Sequence, residues 1–465
     1  MESKRLASII GGLALFAILL SLPTPEALGI AGHRAIAIFA LCIVWWFTTP
    51  VDLPVTALVG LALVPILKVQ PASEVFSFFG NQAIFFVVGV FLIAAVMMKT
   101  GLSTRLALLL LSRFAKSENQ LALSVLLLSM GLCAIIVSHA VAAILLPIIL
   151  EILSALHCDR RSPFAKRILL SMAWGTVLGS NTTLLSSARA SLALQLHDAS
   201  AAAAGTPISF ASFAAASVPL VLLSIFPIYF ALRLSFPPRG RSMQPALDLL
   251  QKKVDELGSM QASEWATTAV IAAMVSCMVL FADSVGLGSL ALFFSSLLFF
   301  LRLIDWSEVE SYVNWGVILL YGGAIALGRV LDVTGAAGWI VTDVLPLEGV
   351  PPWAFLLLFS WAAMVLTELI SNSGVVVLLL PIGLKVAAAT GIDPSVMVFL
   401  TVLPSGLGLT MPTGTPAMAM IFGTSYMQLR DTAWRGPLLS HFLWLILAGI
   451  AYLVWPLFGI HPIAP

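Results

Sequence analysis

Charge is what this chain lacks most. Of its 465 residues only 10% are Asp, Glu, Lys or Arg, where soluble domains carry about 25%. A water-facing globular surface cannot be built from so little. The net charge of +1 provides no basic face for nucleic acid and no acidic tail. Cysteine is scarce: Cys42, Cys133, Cys158 and Cys277 are scattered, with no CxxC and no metal spacing, so no disulfide framework is expected. His33, His139, His157, His197, His441 and His461 are dispersed. The clustered His, Asp and Glu of a membrane enzyme are missing, and no enzymatic activity is expected. Only 233–262 is a sizeable polar stretch.

What is present is apolar. Hydrophobic residues make up 60% and the mean hydropathy is +1.06. Transmembrane strands alternate in polarity and nothing here does, so the chain reads as an all-α polytopic membrane protein. The first run, to Leu22 after Lys4 and Arg5, is too long for a signal peptide and has no small-residue cleavage site, so it is expected to be a retained span. About eleven transmembrane helices are expected, at 6–22, 30–48, 53–69, 82–98, 168–188, 207–232, 263–282, 286–301, 314–330, 394–428 and 437–459. Two apolar segments differ, 120–155 and 353–389. Each is interrupted by polar or small residues and contains Leu-Pro-Ile (Leu146-Pro147-Ile148 and Leu380-Pro381-Ile382). Both are read as re-entrant hairpins. With the N-terminus cytoplasmic, that topology puts Arg105, Arg113, Arg160, Arg161, Lys166, Arg233, Arg239, Arg241, Arg302 and Arg430 inside, as the positive-inside rule requires.

An internal repeat accompanies the spans. The run ending Lys99-Thr100-Gly101 resembles the run ending Val333-Thr334-Gly335. Gly101 to Pro147 and Gly335 to Pro381 are both 46 residues. The two repeats start on opposite sides and are therefore inverted. The expected organisation is N-terminal scaffold helices 1–69, a first repeat 70–232, a cytoplasmic linker 233–262 with a short amphipathic helix, and a second repeat 263–465.

Two polar breaks interrupt apolar runs: Thr367-Glu368-Leu369-Ile370-Ser371-Asn372-Ser373 and Thr410-Met411-Pro412-Thr413-Gly414-Thr415-Pro416. Broken backbone at membrane depth must face protein or a water-filled cavity, so both point to a solute site at the repeat interface. Hydroxyl, amide and carbonyl oxygens suit Na⁺, and free helix N-termini suit an anion. The repeat pairs Ser371-Asn372-Ser373 with Val137-Ser138-His139, and Gly414-Thr415-Pro416-Ala417 with Ser186-Ser187-Ala188-Arg189. Arg189 is either a charge within the site or an outer-loop residue snorkelling to water. His139 is either a packed, hydrogen-bonded residue or part of the site. Glu368 is read as paired to Arg329, as a helix cap, or as a proton relay. Ser180-Asn181-Thr182 imitates the motif but is read as lying before the true break.

These residues resemble the divalent anion/sodium symporter family, whose members carry dicarboxylates, citrate and sulfate. The resemblance covers most of the chain. It rests on Phe79-Gly80-Asn81 with Lys99-Thr100-Gly101-Leu102, on Trp315 to Gly323, and above all on Thr367 to Ser373 and Met411 to Thr424. In that family each hairpin tip carries Ser-Asn-Thr and each broken span Thr-Pro-Pro-Asn or a close relative. The resemblance implies a secondary active transporter of a small anion, an elevator-type movement and a homodimer in a bacterial inner membrane. It implies a sodium site at Thr367, the Ile370 carbonyl, Asn372 and the Gly414 carbonyl, and substrate contacts at Ser371, Asn372, Ser373, Thr415 and Pro416. The first half departs from the pattern at Ser138, His139, Ser187 and Arg189. There Arg189 or a protonated His139 would stand in for a lost sodium. Sodium coupling through the retained site is the first expectation. Proton coupling or anion exchange is the alternative, and a non-transporting membrane sensor or binding subunit is the alternative from another class.

Overall fold

Backbone in hydrocarbon must satisfy its own hydrogen bonds, and the charge-poor runs do so as helices. The computed structural model describes residues 2–80, 82–200, 208–340, 343, 350–412 and 414–462, and among these there is no strand. Asn81 and Thr413, both in the motifs above, lie outside the described residues. Helices Glu2–Ser21, Ile30–Thr48, Leu53–Ile66, Gln82–Lys99, Phe210–Ser235, Ala262–Val285, Leu287–Phe300, Trp315–Val333 and Arg435–Leu453 fall close to the expected spans. Seven described helices are long and apolar enough to cross a membrane. They become eight when Ile84–Lys99 and Leu102–Phe114, bent by 61° at Thr100-Gly101, are taken as one.

Four positions stand apart from this simple pattern. Helix Glu118–Cys133 turns at 134–137 into Ser138–Ala155, and Pro352–Leu366 turns at 367–371 into Asn372–Thr390. These are the two hairpins. The two broken spans are Pro163–Gly179 followed by Ala188–Ala199, and Pro394–Ser405 followed by Pro416–Gly423. Each broken span starts on a polar N-cap followed by proline. The Ser162 hydroxyl accepts from Ala165 N at 3.5 Å and the Asp393 carboxylate from Ser395 N at 2.8 Å, while proline at the first helical position costs no hydrogen bond.

The two halves keep one spacing. Helices open at Leu53, Ala72, Glu118 and Ser138, and again at Leu287, Trp306, Pro352 and Asn372, each 234 positions later (287 − 53, for example). Packing repeats as well, with an exchange of partners. Gln82–Lys99 lies along Leu287–Phe300, and Trp315–Val333 lies along Leu53–Ile66. Gly101 and Gly335 take the same left-handed backbone, φ 78° and 72°, which residues with a Cβ rarely adopt. Between the halves, helix Gln244–Leu257 buries Ala246 and Leu250 against the first hairpin and Leu102–Phe114. Arg105 fastens the end of this linker, bonding Glu264 at 2.6 Å and the Gly258 carbonyl at 2.9 Å.

Candidate functional site

Both hairpin tips and both breaks converge on one cavity of about 450 Å³. The first tip contributes Val137, Ser138 and His139, and the first break Ser180, Ser186, Ser187 and Arg189. The second tip contributes Ser371, Asn372 and Ser373, and the second break Gly414, Thr415 and Pro416. Phe91 of Gln82–Lys99 and Tyr321 of Trp315–Val333 close another side. All nine substrate-contact candidates come from the caps or first turns of the helices that follow the tips and breaks. Ser187 and Thr415 are the N-caps of the second half-helices, and Ser371 is the N-cap of the second hairpin arm. Four helix N-termini therefore face the cavity, each with unpaired N–H groups and the positive end of its dipole, an arrangement that favours an anion.

The second tip also gathers oxygen. The Thr367 hydroxyl lies 2.6 Å from Asn372 Oδ1 and 2.8 Å from the Ser405 carbonyl. A hydroxyl has one proton to donate, so three oxygens share one hydrogen. That surplus of lone pairs suits a hard cation. The Ser405 carbonyl ends half-helix Pro394–Ser405, where the dipole is negative. Gly414 lies against the same tip: a Cβ there would stand 2.9 Å from the Thr367 carbonyl oxygen. Thr367, Asn372 and Gly414 thus lie together, and Ile370, in the same turn, is buried. Among the described residues no group of three His, Cys, Asp or Glu could hold a transition metal.

Glu368 is a cap. Its carboxylate accepts from Leu409 N at 3.0 Å, Thr410 N at 3.2 Å, Thr410 Oγ1 at 2.8 Å and Met411 N at 3.0 Å. It satisfies the backbone of the second break and joins it to the hairpin tip. Arg329 instead stacks over the Phe78 ring, 5.7 Å from its centroid.

Arg189 belongs to the interior. It is 4% exposed, in the first turn of Ala188–Ala199, which rules out the outer-loop reading. Its guanidinium donates to Ser180 Oγ at 3.1 Å, Asn181 Oδ1 at 2.6 Å and the Val402 carbonyl at 3.3 Å. Ser180 and Asn181 are therefore not a decoy. Helix Pro163–Gly179 ends just before them, so the break starts earlier than the sequence suggests, and both residues cradle the arginine. His139 sits edge-on to Phe91, ring centroids 5.6 Å apart. It lines the cavity, and among the described residues no hydrogen bond or ion pair reaches its ring.

Sequence reasoning missed Tyr321, whose hydroxyl lies 2.9 Å from Ser373 Oγ. The available signal was a tyrosine inside an apolar span, because a buried phenol seeks a partner. Tyr321→Phe is expected to weaken substrate binding by about two- to fivefold, the loss of one neutral hydrogen bond in a membrane interior. Saturation curves for uptake would show this as a raised KM at unchanged maximal rate.

A helical membrane protein whose solute-sized cavity lies between two hairpin tips and two broken spans has the construction of a secondary transporter. Residues 3–461 match the sodium:sulfate symporter transmembrane region, and the chain belongs to that family. It is 27% identical to the sodium-dependent dicarboxylate transporter SdcS of Staphylococcus saprophyticus, over 99% of this chain and 93% of that protein. It is also 27% identical to SdcS of Staphylococcus aureus strain USA300, over 98% and 92%. In fold it resembles the YdaH transporter of Alcanivorax borkumensis (TM-score 0.53, 12% identity, 85% of this chain and 90% of that one). It also resembles MtrF of Neisseria gonorrhoeae (TM-score 0.55, 13% identity, 97% and 94%).

Proposed function

We propose that this protein is a sodium-coupled secondary transporter of a small dianion, a dicarboxylate or sulfate, acting as a homodimer in a bacterial plasma membrane with its N-terminus cytoplasmic. The observation that carries this reading is the cavity itself. Four helix N-termini that favour an anion stand beside a cluster of Thr367, Asn372 and Ser405 oxygens that favours a cation. The family and the sodium-dependent dicarboxylate relatives support the same pairing. A tricarboxylate is admitted by the same chemistry, with a third carboxylate left to the serines.

Sodium at Thr367 and Asn372 holds the second tip against the second break and so completes the anion site. Binding of each ion then raises affinity for the other. The construction supports an elevator movement, in which hairpins and broken spans move as one body past Gln82–Lys99 and Trp315–Val333. The contacts Tyr321–Ser373 and His139–Phe91 would break and re-form at that sliding surface. The common spacing supports an inverted repeat running from Ile30 to Ser235 and from Ala262 to Leu453, wider than the boundaries 70–232 and 263–465 read from sequence.

The test is uptake of labelled succinate and sulfate into proteoliposomes, with sodium or with choline outside. Sodium is expected to stimulate uptake, and Thr367→Val is expected to remove at least nine-tenths of the stimulation. Equal uptake in choline by the wild type would sink the sodium assignment.

A further inference from the structure

We infer that the Arg189 guanidinium is a tethered counter-charge for the transported anion, standing in the first repeat where the second repeat holds sodium, so that a single sodium accompanies each dianion. This rests on the reading above and goes beyond it in fixing the stoichiometry and the sign of the charge moved.

The repeat supplies the comparison. The second-half cation cluster uses Thr367, Asn372, the Ser405 carbonyl and Gly414. Their counterparts around the first tip are Cys133, Ser138, the end of Pro163–Gly179 and Ser186. Cys133 offers a soft sulfur, and its thiol donates to the Thr176 carbonyl at 3.6 Å. The Ser186 hydroxyl is already bonded to Thr183 N at 3.0 Å and to the Ser180 and Thr183 carbonyls. Ser138 is too short to reproduce the amide oxygen of an asparagine. Among the described residues the first tip therefore lacks the threonine hydroxyl and the asparagine amide oxygen of the second-half cluster, and one lone pair of Ser186 is already taken by Thr183 N.

A charge is present instead. Arg189 is buried, and its three bonded partners are all neutral: Ser180, Asn181 and the Val402 carbonyl. Among the described residues no carboxylate pairs with it. A buried charge without a counter-ion is costly and marks a site that a ligand completes. The Val402 carbonyl belongs to the last turn of Pro394–Ser405, the same helix end that presents Ser405 to the sodium cluster. One negative helix terminus thus serves both cations, one fixed and one mobile. Arg189 is also one of the residues that line the cavity, and a guanidinium fork suits a carboxylate or sulfate.

The charge balance follows. A dianion, one sodium and Arg189 sum to zero, so the loaded carrier crosses without net charge at the site. The empty carrier returns with the arginine's positive charge. Each cycle of net uptake therefore moves one negative charge inward. An inside-negative potential opposes it, whereas symport with three sodium ions would be driven by it. Exchange of anion for anion uses only the neutral loaded form and is indifferent to voltage.

The deciding experiment imposes a potassium diffusion potential with valinomycin on wild-type proteoliposomes, under a fixed sodium gradient, with labelled succinate and separately sulfate. For whichever is transported, an inside-negative potential of about 100 mV is expected to lower steady-state accumulation, by up to about 50-fold for one elementary charge. Homoexchange is expected to be unchanged, and the ratio of labelled sodium to labelled anion is expected to be one. Accumulation raised or unaffected by the potential, or a ratio of two or more, overturns the inference while leaving sodium coupling intact. Absence of any sodium stimulation overturns the underlying reading instead. Arg189→Gln is expected to raise the KM for the dianion at least tenfold, with partial recovery in Arg189→Lys. The wild-type measurements decide even if the variants do not fold.

Discussion

Glu368→Gln is expected to abolish uptake and to destabilise the protein by about 3 kcal/mol. The carboxylate gathers three backbone N–H groups and one hydroxyl from Leu409, Thr410 and Met411. Hydrogen bonds to a charged acceptor are worth roughly 1.5–3 kcal/mol each, about twice a neutral one. A glutamine keeps one acceptor oxygen and turns an NH₂ toward donors that already have no other partner. With the amide oxygen at the Oε1 position Met411 N–H loses its acceptor, and in the other orientation Leu409 N–H and the Thr410 hydroxyl lose theirs, so a buried N–H is left unsatisfied either way, where water is scarce. The consequence is local before it is global. Leu409, Thr410 and Met411 lose their anchor to the hairpin, Gly414 no longer abuts Thr367, and the cation cluster opens. Thermal unfolding in detergent, read beside uptake, checks this. A variant that melts with the wild type but transports with an altered pH dependence would mean that Glu368 carries protons and is not a structural cap.

The contrast between the halves explains what the sequence made legible. Hairpins and breaks were visible because their signals are local: Leu-Pro-Ile in each second arm, a serine cap at Ser371, and Thr-Pro at 415–416. The second-half cluster was visible because Thr367 and Asn372 are five residues apart and one turn brings them together. Arg189 was not placed, because its surroundings are assembled from distance. Val402 is 213 positions away, and Ser180 and Asn181 gain meaning only once the helix is seen to end at Gly179. Tyr321 and Ser373 are separated by 52 positions and meet across two different helices. Periodicity reports which face of a helix is apolar, not which other helix will cover it. Composition gives the membrane class at once, but not the lengths of the helices within each apolar run: Pro394–Ser405 and Leu53–Ile66, of 12 and 14 residues, have the hydropathy of a span in a shorter helix.

Gly406→Ala should act on the same arginine without touching its charge. A Cβ at this position would lie 2.3 Å from Arg189 Nη2, 2.4 Å from Asn181 Oδ1 and 2.5 Å from Asn181 Nδ2. No real packing tolerates such approaches, so either the guanidinium or the backbone at the end of Pro394–Ser405 must move. The guanidinium is held by Ser180 and by the Val402 carbonyl, and Asn181 Nδ2 donates to the Gly406 carbonyl itself at 3.4 Å. Displacement therefore propagates to both breaks at once. Overpacking of this kind costs about 1–3 kcal/mol in stability, and an anion site whose positive charge has shifted is expected to lose at least tenfold in affinity. Gly449→Ala is the matched control. It lies on Arg435–Leu453 with nothing within 4 Å of the added carbon, and alanine in an open helix is neutral or favourable by up to about 1 kcal/mol. Uptake and melting of the two variants should diverge sharply. Equal, wild-type behaviour would mean that the contact between the broken spans yields to a methyl group, and that Arg189 is not held in place by the close approach of Gly406.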